Sequence, residues 1–471
     1  MKRLGPIAAL LSALVPSLAG ADQGKPNILI IVTDDHGFGD VGYHNPEIRT
    51  PNLDRLAADG VRLERFYAYP TCSLTRAALL TGLSTLRTGV NNRNGLDLKY
   101  RTMPEALRAA GYQTVMCGKW HLGGTEDNSL KGPDYYPTRR GFDHFYGFLH
   151  GAIDYTDHVR KDLGVLDWQR DGEPVREEGF TTDLLADEAV RRIKERDEDR
   201  PLFLYLAFNA VHGPLETPPS GLGEYAAMRD RKRQVLAANV SYMDAAIGRV
   251  LGAIDAEGMR DETIVLFFGD NGGQLSQGAS NAPLRGEKGQ VFEGGTRVPA
   301  AIQWPGVLPA GTESRQLLWV ADVYPTLARA AGVSPEAPIP FDGLSLWDEL
   351  QQGRETPRDL IHGTSDLALY HGPWKLIRPR GGARPMLFRI ADDPNETADQ
   401  AEAEPDVVRD LLERLSASVA SIPGAGRDDR QGQPPDQPRM RRGREGGPPP
   451  RRDPAPRRGD RKRRPRASDA E

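Results

Sequence analysis

Three stretches of this 471-residue chain are apolar at nearly every position: Asn27-Ile28-Leu29-Ile30-Ile31-Val32-Thr33, Leu202-Phe203-Leu204-Tyr205-Leu206-Ala207-Phe208 and Thr263-Ile264-Val265-Leu266-Phe267-Phe268-Gly269. No polar–apolar alternation runs through them. Each therefore reads as a strand covered on both faces, the situation of a parallel sheet between helices. Helical spacing recurs between and around them, over 50–57, 103–110, 182–193 and 233–254. The fold class is α/β, a large mixed, mostly parallel sheet flanked by helices. Past Leu350 polarity rises; 371–377 and 386–390 read as two strands of a small C-terminal antiparallel sheet, closed by a helix over 406–421. At this length, a large domain with a smaller partner is expected. The division is 1–21 signal, 25–355 catalytic domain, 356–422 C-terminal subdomain and 423–471 tail.

In such sheets, ligands gather beyond the C-terminal ends of the strands. The first run ends in Asp34-Asp35-His36-Gly37, the third in Asp270-Asn271-Gly272-Gly273, and the second leads to His212. An Asp-Asp pair alone reads as a solvated turn. With a second carboxylate strand, Asp34, Asp35, Asp270 and the Asn271 amide oxygen form an oxygen set suited to Ca²⁺ or Mg²⁺. A short strand over 113–117 precedes Gly118-Lys119-Trp120-His121, where an extended chain projects Lys119 and His121 to the same side. Taken singly, Lys119 reads as a surface cation, His121 as a packed ring, His212 as a loop imidazole and Lys288 as a solvated loop lysine. The region 126–178 reads as substrate-side loops, with His144, His150 and His158 unassigned.

Cys72 stands just ahead of Arg76-Ala77-Ala78-Leu79-Leu80, good helix formers stopped near Gly82. A thiol at a helix N-terminus with an arginine one turn on is expected to be acidic and reactive. The competing reading is a buried capping cysteine. The second of the two cysteines, Cys117, offers a disulfide in an oxidising compartment, which would remove Cys72 from chemistry.

The N-terminus has the pattern of an export signal: Lys2 and Arg3, an apolar run over 4–18, then Ala19-Gly20-Ala21. The run is too short and poorly flanked to span a membrane. No cysteine near its end accepts a lipid, so no stable membrane anchor is expected. A secreted or periplasmic protein beginning near Asp22 is the reading, and an uncleaved anchor the alternative. Residues 427–471 hold 15 Lys/Arg against 8 Asp/Glu; with −5 overall, that surplus of seven leaves −12 on the remainder. The body is acidic and no nucleic-acid partner is expected. The Arg/Pro-rich tail is expected to be disordered, as a salt-sensitive tether to polyanions or a solvated appendage.

Taken together, Asn27 to Gly37, Arg49-Thr50-Pro51-Asn52-Leu53-Asp54, Cys72 to Gly82, Gly118-Lys119-Trp120-His121-Leu122-Gly123, Val211-His212-Gly213-Pro214-Leu215, Asp270-Asn271-Gly272-Gly273 and Pro283-Leu284-Arg285-Gly286-Glu287-Lys288 resemble the type I sulfatase family, of the alkaline-phosphatase-like superfamily. The wording from Asp270 to Gly295 is most similar to the arylsulfatase B branch, which acts on sulfated N-acetylgalactosamine. The resemblance implies that a formylglycine-generating enzyme oxidises Cys72 to formylglycine, whose hydrate attacks the sulfur of a sulfated carbohydrate or aryl sulfate. It implies that Asp34, Asp35, Cys72, Asp270 and Asn271 hold the metal and that Arg76 steadies the modified side chain. The same resemblance implies that Lys119 and Lys288 hold sulfate oxygens, that His121 is the base for sulfate release, and that His212, with Lys288, serves the leaving oxygen. The family's modification signal reads Cys-x-Pro-x-Arg or Cys-x-Ala-x-Arg; here Leu74 holds the third place, which implies weaker conversion. A phosphodiesterase or phosphonate monoester hydrolase of the same superfamily, and a non-catalytic glycan-binding protein with unmodified Cys72, are the alternatives.

Overall fold

The three apolar runs are strands, Asn27–Thr33, Leu202–Ala207 and Thr263–Gly269, and they lie side by side in one large sheet. The computed structural model describes residues 24–423 except 92–93, 125–128, 162 and 335–337. The expected signal and all but the first residue of the expected tail lie outside the described residues. Among the described residues the sheet has ten strands. Asn27–Thr33 is central, with Ile30 opposite Tyr205 on one side and Leu266 on the other, both in parallel register. Gln113–Lys119 and His144–Phe148 extend the parallel half beyond Leu202–Ala207. Antiparallel Ala300–Gln303 lies beyond Thr263–Gly269.

Burial on both faces explains the missing alternation. Ile28, Ile30 and Val32 enter one core with the helix Cys72–Thr81, while Leu29 and Ile31 enter the other with the helices Thr181–Lys194 and Arg231–Ala256. Each fully buried aliphatic side chain contributes about 1.5–3 kcal/mol, so these two-sided strands dominate the core energetics.

Two expectations are corrected. The strand His144–Phe148 falls in the region read as loops. It is five residues long and buried on both faces, so it has no alternation to reveal it. At Gly147 a Cβ would lie 2.3 Å from the Gly118 carbonyl oxygen, so the close approach of the two strands admits only glycine. The C-terminal sheet has four strands instead of two: Leu360–Gly363, Leu367–His371, Trp374–Arg378 and Met386–Phe388. The run 371–377 crosses a hairpin whose turn sits at Gly372, φ 55°. Leu411 and Leu415 of the helix Pro405–Ser421 cover one face of this sheet, and Ala368, Tyr370, Ile377 and Phe388 join the main core from the other.

Candidate active site

Backbone pairing continues past the strand ends. The Asp34 N–H donates to the Ala210 carbonyl at 2.9 Å, Val211 N–H to Asp34 at 2.7 Å and Asp270 N–H to Thr33 at 2.8 Å. Three loops therefore leave the sheet in register, carrying Asp34 and Asp35, His212, and Asp270 and Asn271 to one place. Asp35 is left-handed at φ 55°, a conformation aspartate tolerates better than most residues. Its N–H donates to Asp270 Oδ1 at 3.2 Å, and Asn271 Nδ2 donates to Asp35 Oδ1 at 2.8 Å.

Cys72 opens the helix Cys72–Thr81, which Gly82 ends at φ 67°. Its Sγ lies 3.3 Å from Asp34 Oδ1 and 4.0 Å from Asp35 Oδ1. Arg76, fully buried, donates from Nη2 to Asp270 Oδ2 at 2.7 Å and from Nη1 to the Lys119 carbonyl at 2.8 Å. The expectation of an acidic thiol is corrected. Burial, then the Asp270 and Asp34 carboxylates, push the Cys72 thiol well above its ordinary value, and Lys119 and Lys288 do not offset them. The disulfide reading also falls. Both cysteines are free, and Cys117 packs in the core on the sheet face away from the Cys72 helix.

Lys119 ends its strand instead of following it, and Nζ meets Asp34 Oδ2 at 2.5 Å. The chain does not stay extended beyond it: His121 is left-handed at φ 59°. A Cβ on Gly151 would lie 2.6 Å from His121 Nε2, so glycine backs that ring edge. His121 Nδ1 is buried with no hydrogen-bond partner. His212 donates from Nδ1 to the Gly213 carbonyl, leaving Nε2 3.8 Å from Asp35 Oδ2. Lys288 Nζ lies 2.7 Å from Asp35 Oδ1. The structure thus brings together every residue expected at the site.

The field of the cluster follows from this geometry. Burial alone would raise Asp34, but Lys119, His212, Arg76 and Lys288 outweigh it and hold its carboxyl below the usual range. Asp270 is pushed up by burial and by the charge of Asp34. Burial, then Lys119 and Arg76, press His121 well below its ordinary value and keep it neutral. The Lys288 and His212 side chains are 20 % and 21 % exposed, whereas Asp34, Arg76, Lys119, Asp270 and Asn271 are sealed. The site therefore opens on the side of Lys288 and His212.

The residues fit a hard divalent cation. Ligand atoms of Asp34, Asp35, Cys72 and His212 lie within 4.8 Å of one another. Asp270 stands one hydrogen bond behind, and Asn271 Oδ1 is a buried oxygen without a partner. An oxygen-rich set of this charge suits Ca²⁺ or Mg²⁺.

Some supporting residues carry no sequence signal. Asn281 accepts from Gly273 N–H at 2.8 Å and donates to the Gly273 and Gly286 carbonyls, tying the Asp270 loop to the Lys288 loop. Tyr155 donates its hydroxyl to the His212 carbonyl at 2.9 Å. The unassigned histidines have structural partners: His144 meets Asp171 and Glu188, His150 meets Asp167, and His158 stacks on Trp168.

The sheet, its two helical layers and a carboxylate-rich cleft at the strand ends have the alkaline-phosphatase-like architecture. The profile of the family named Sulfatase matches residues 26–333. Mouse arylsulfatase J is 32% identical over 465 residues, covering 85% of this chain and 77% of the relative. Pig N-acetylgalactosamine-6-sulfatase is 36% identical over 399 residues, covering 78% and 74%. Among solved structures, Ps i-CgsB in complex with k-i-k-neocarrahexaose superposes with a TM-score of 0.78 at 30% identity, covering 83% of this chain and 92% of that one. The chain belongs to the sulfatase family and is a sulfuric ester hydrolase.

Proposed function

We propose that this sulfatase acts on sulfated carbohydrates, using a formylglycine made from Cys72 and a divalent cation, Ca²⁺ or Mg²⁺, held by Asp34, Asp35, Asp270, Asn271 and the modified Cys72 side chain. The observation that carries the reading is the Cys72 Sγ seated 3.3 Å from Asp34 Oδ1, where the loops of three strands converge. The carbohydrate class is supported by the pig relative named for N-acetylgalactosamine-6-sulfate and by the neocarrahexaose complex. When bound, the cation raises the acidity of a nearby hydroxyl and draws charge from sulfate oxygens.

The chain's own residues divide the remaining work. Arg76 fixes Asp270 and the first turn of the Cys72 helix. Lys119 and Lys288 hold sulfate oxygens as charge builds on them. His212, its Nδ1 committed to the Gly213 carbonyl, turns Nε2 to the leaving oxygen and with Lys288 supports or protonates it. His121, held neutral, takes a proton at the unpartnered Nδ1 as sulfate is released.

Mass spectrometry of the peptide containing Cys72 tests the reading, because aldehyde and thiol differ in mass; a wholly unmodified thiol in active enzyme overturns it. Paired aryl sulfate and phosphate diester substrates are expected to favour the sulfate. N-acetylgalactosamine 4- and 6-sulfates then separate the two positions. Dialysis against a chelator is expected to lower the rate by at least about 100-fold, with recovery on adding Ca²⁺ or Mg²⁺; a rate untouched by full metal removal rules the cation out. The export-like N-terminus supports secretion or a periplasmic location. None of the described helices is long and apolar enough to cross a membrane.

A further inference from the structure

The lysine that closes the open side of the site sits on a tightly packed segment. Lys288 N–H donates to the Gly273 carbonyl at 3.3 Å, and Gly289 N–H to that of Pro70, two residues before Cys72, at 2.7 Å. Gly294 N–H returns to the Arg285 carbonyl at 2.7 Å. A Cβ on Gly294 would lie 2.6 Å from the Gly286 oxygen, and one on Gly295 2.1 Å from that of Gln290, so the turns interlock backbone to backbone. With no slack, a shift at Glu293 is passed to Lys288.

Glu293 is fully buried and held from the C-terminal sheet. Its Oε1 accepts from Tyr370 Oη at 2.5 Å and from Lys375 Nζ at 2.9 Å, while Oε2 accepts from Tyr67 Oη at 2.8 Å. Lys375 Nζ also meets Glu396 Oε1 at 2.8 Å, and Glu396 Oε2 accepts the Glu293 N–H at 2.7 Å. The Glu396 carbonyl takes the Arg285 guanidinium at 3.0 Å. Both ends of the segment, Arg285 and Glu293, are therefore gripped by the same group of residues. Burial opposes the Glu293 charge, but Lys375 and Arg297 hold it ionised, down to about 2. Sealed ion pairs add little stability over well-packed apolar groups, though losing one partner is costly. What such a triad supplies here is a fixed orientation.

We infer that Glu293, Lys375 and Glu396 form a positioning triad that sets Lys288 against the sulfate, so that the small C-terminal sheet controls sulfate binding from outside the cleft. This rests on the reading of Lys288 as a sulfate-holding group. The test is a double-mutant cycle of Lys375→Met and Lys288→Ala, read in kcat, KM and the affinity for inorganic sulfate by calorimetry. Lys375→Met alone is expected to lower kcat/KM about 10- to 100-fold and to weaken sulfate binding in proportion. In the Lys288→Ala background the same change is expected to cost less than about threefold. Equal losses in both backgrounds overturn the positioning role and leave Lys288 intact as a sulfate ligand. A Lys288→Ala protein with wild-type rate and sulfate affinity overturns both. If Lys375→Met fails to fold, Tyr370→Phe, which removes one hydrogen bond to Glu293, takes its place in the cycle with a smaller loss in the same pattern, and additive losses overturn the inference there too.

Discussion

Replacing Cys72 with alanine is expected to leave a folded protein whose aryl sulfate hydrolysis falls by at least about 10⁴-fold, the scale seen when a nucleophile is removed. The fold survives because one small atom is lost at the first position of a helix whose hold on the core comes from Leu74, Ala77, Ala78, Leu79 and Leu80. Stability is expected to change by no more than about 1 kcal/mol, since the substitution also removes a thiol lying against the Asp34 carboxylate. Thermal unfolding and steady-state rates measured on one preparation separate the two effects. A variant within tenfold of the wild-type rate would remove Cys72 from the chemistry, whatever its surroundings.

His121→Ala is expected to show a different failure. The first turnover releases about one equivalent of alcohol per site at a rate close to wild type, after which the steady rate drops by about 10²- to 10⁴-fold, the contribution of a positioned acid–base group. Sulfate remains bound to the protein. Rapid-quench measurement of released alcohol, with labelled sulfate followed by filtration, reads both halves. The ring lies at a left-handed turn directly after the strand that carries Lys119, within the field of Lys119, Arg76 and Asp34. Its loss removes the ring that packs against Gly151. Normal multiple turnover by the variant would take sulfate release away from His121.

Much of the architecture was legible because two-sided burial leaves an unmistakable mark: Ile28 to Val32 and Ile264 to Phe268 have no polar residue to place on an exposed face. The same rule hid His144–Phe148, five residues interrupted by Gly147, where contact with Gly118 and not periodicity selects the residue. The acidic residues were readable because they follow strand ends. The behaviour of Cys72 was not, since helix position argues for an acidic thiol while its tertiary neighbours are carboxylates. Glu293 lay in plain view within Phe292-Glu293-Gly294-Gly295, yet its partners Lys375 and Glu396 stand far along the chain, and no local pattern joins them.

Lys288 and His212, and in part His121, reach water while Asp34, Asp35, Lys119 and Asp270 do not, and this imposes a direction on the substrate. The sulfonyl end must go in first and the alcohol must stay at the threshold. Recognition of the sulfate and recognition of what carries it are thereby handled by separate parts of the molecule.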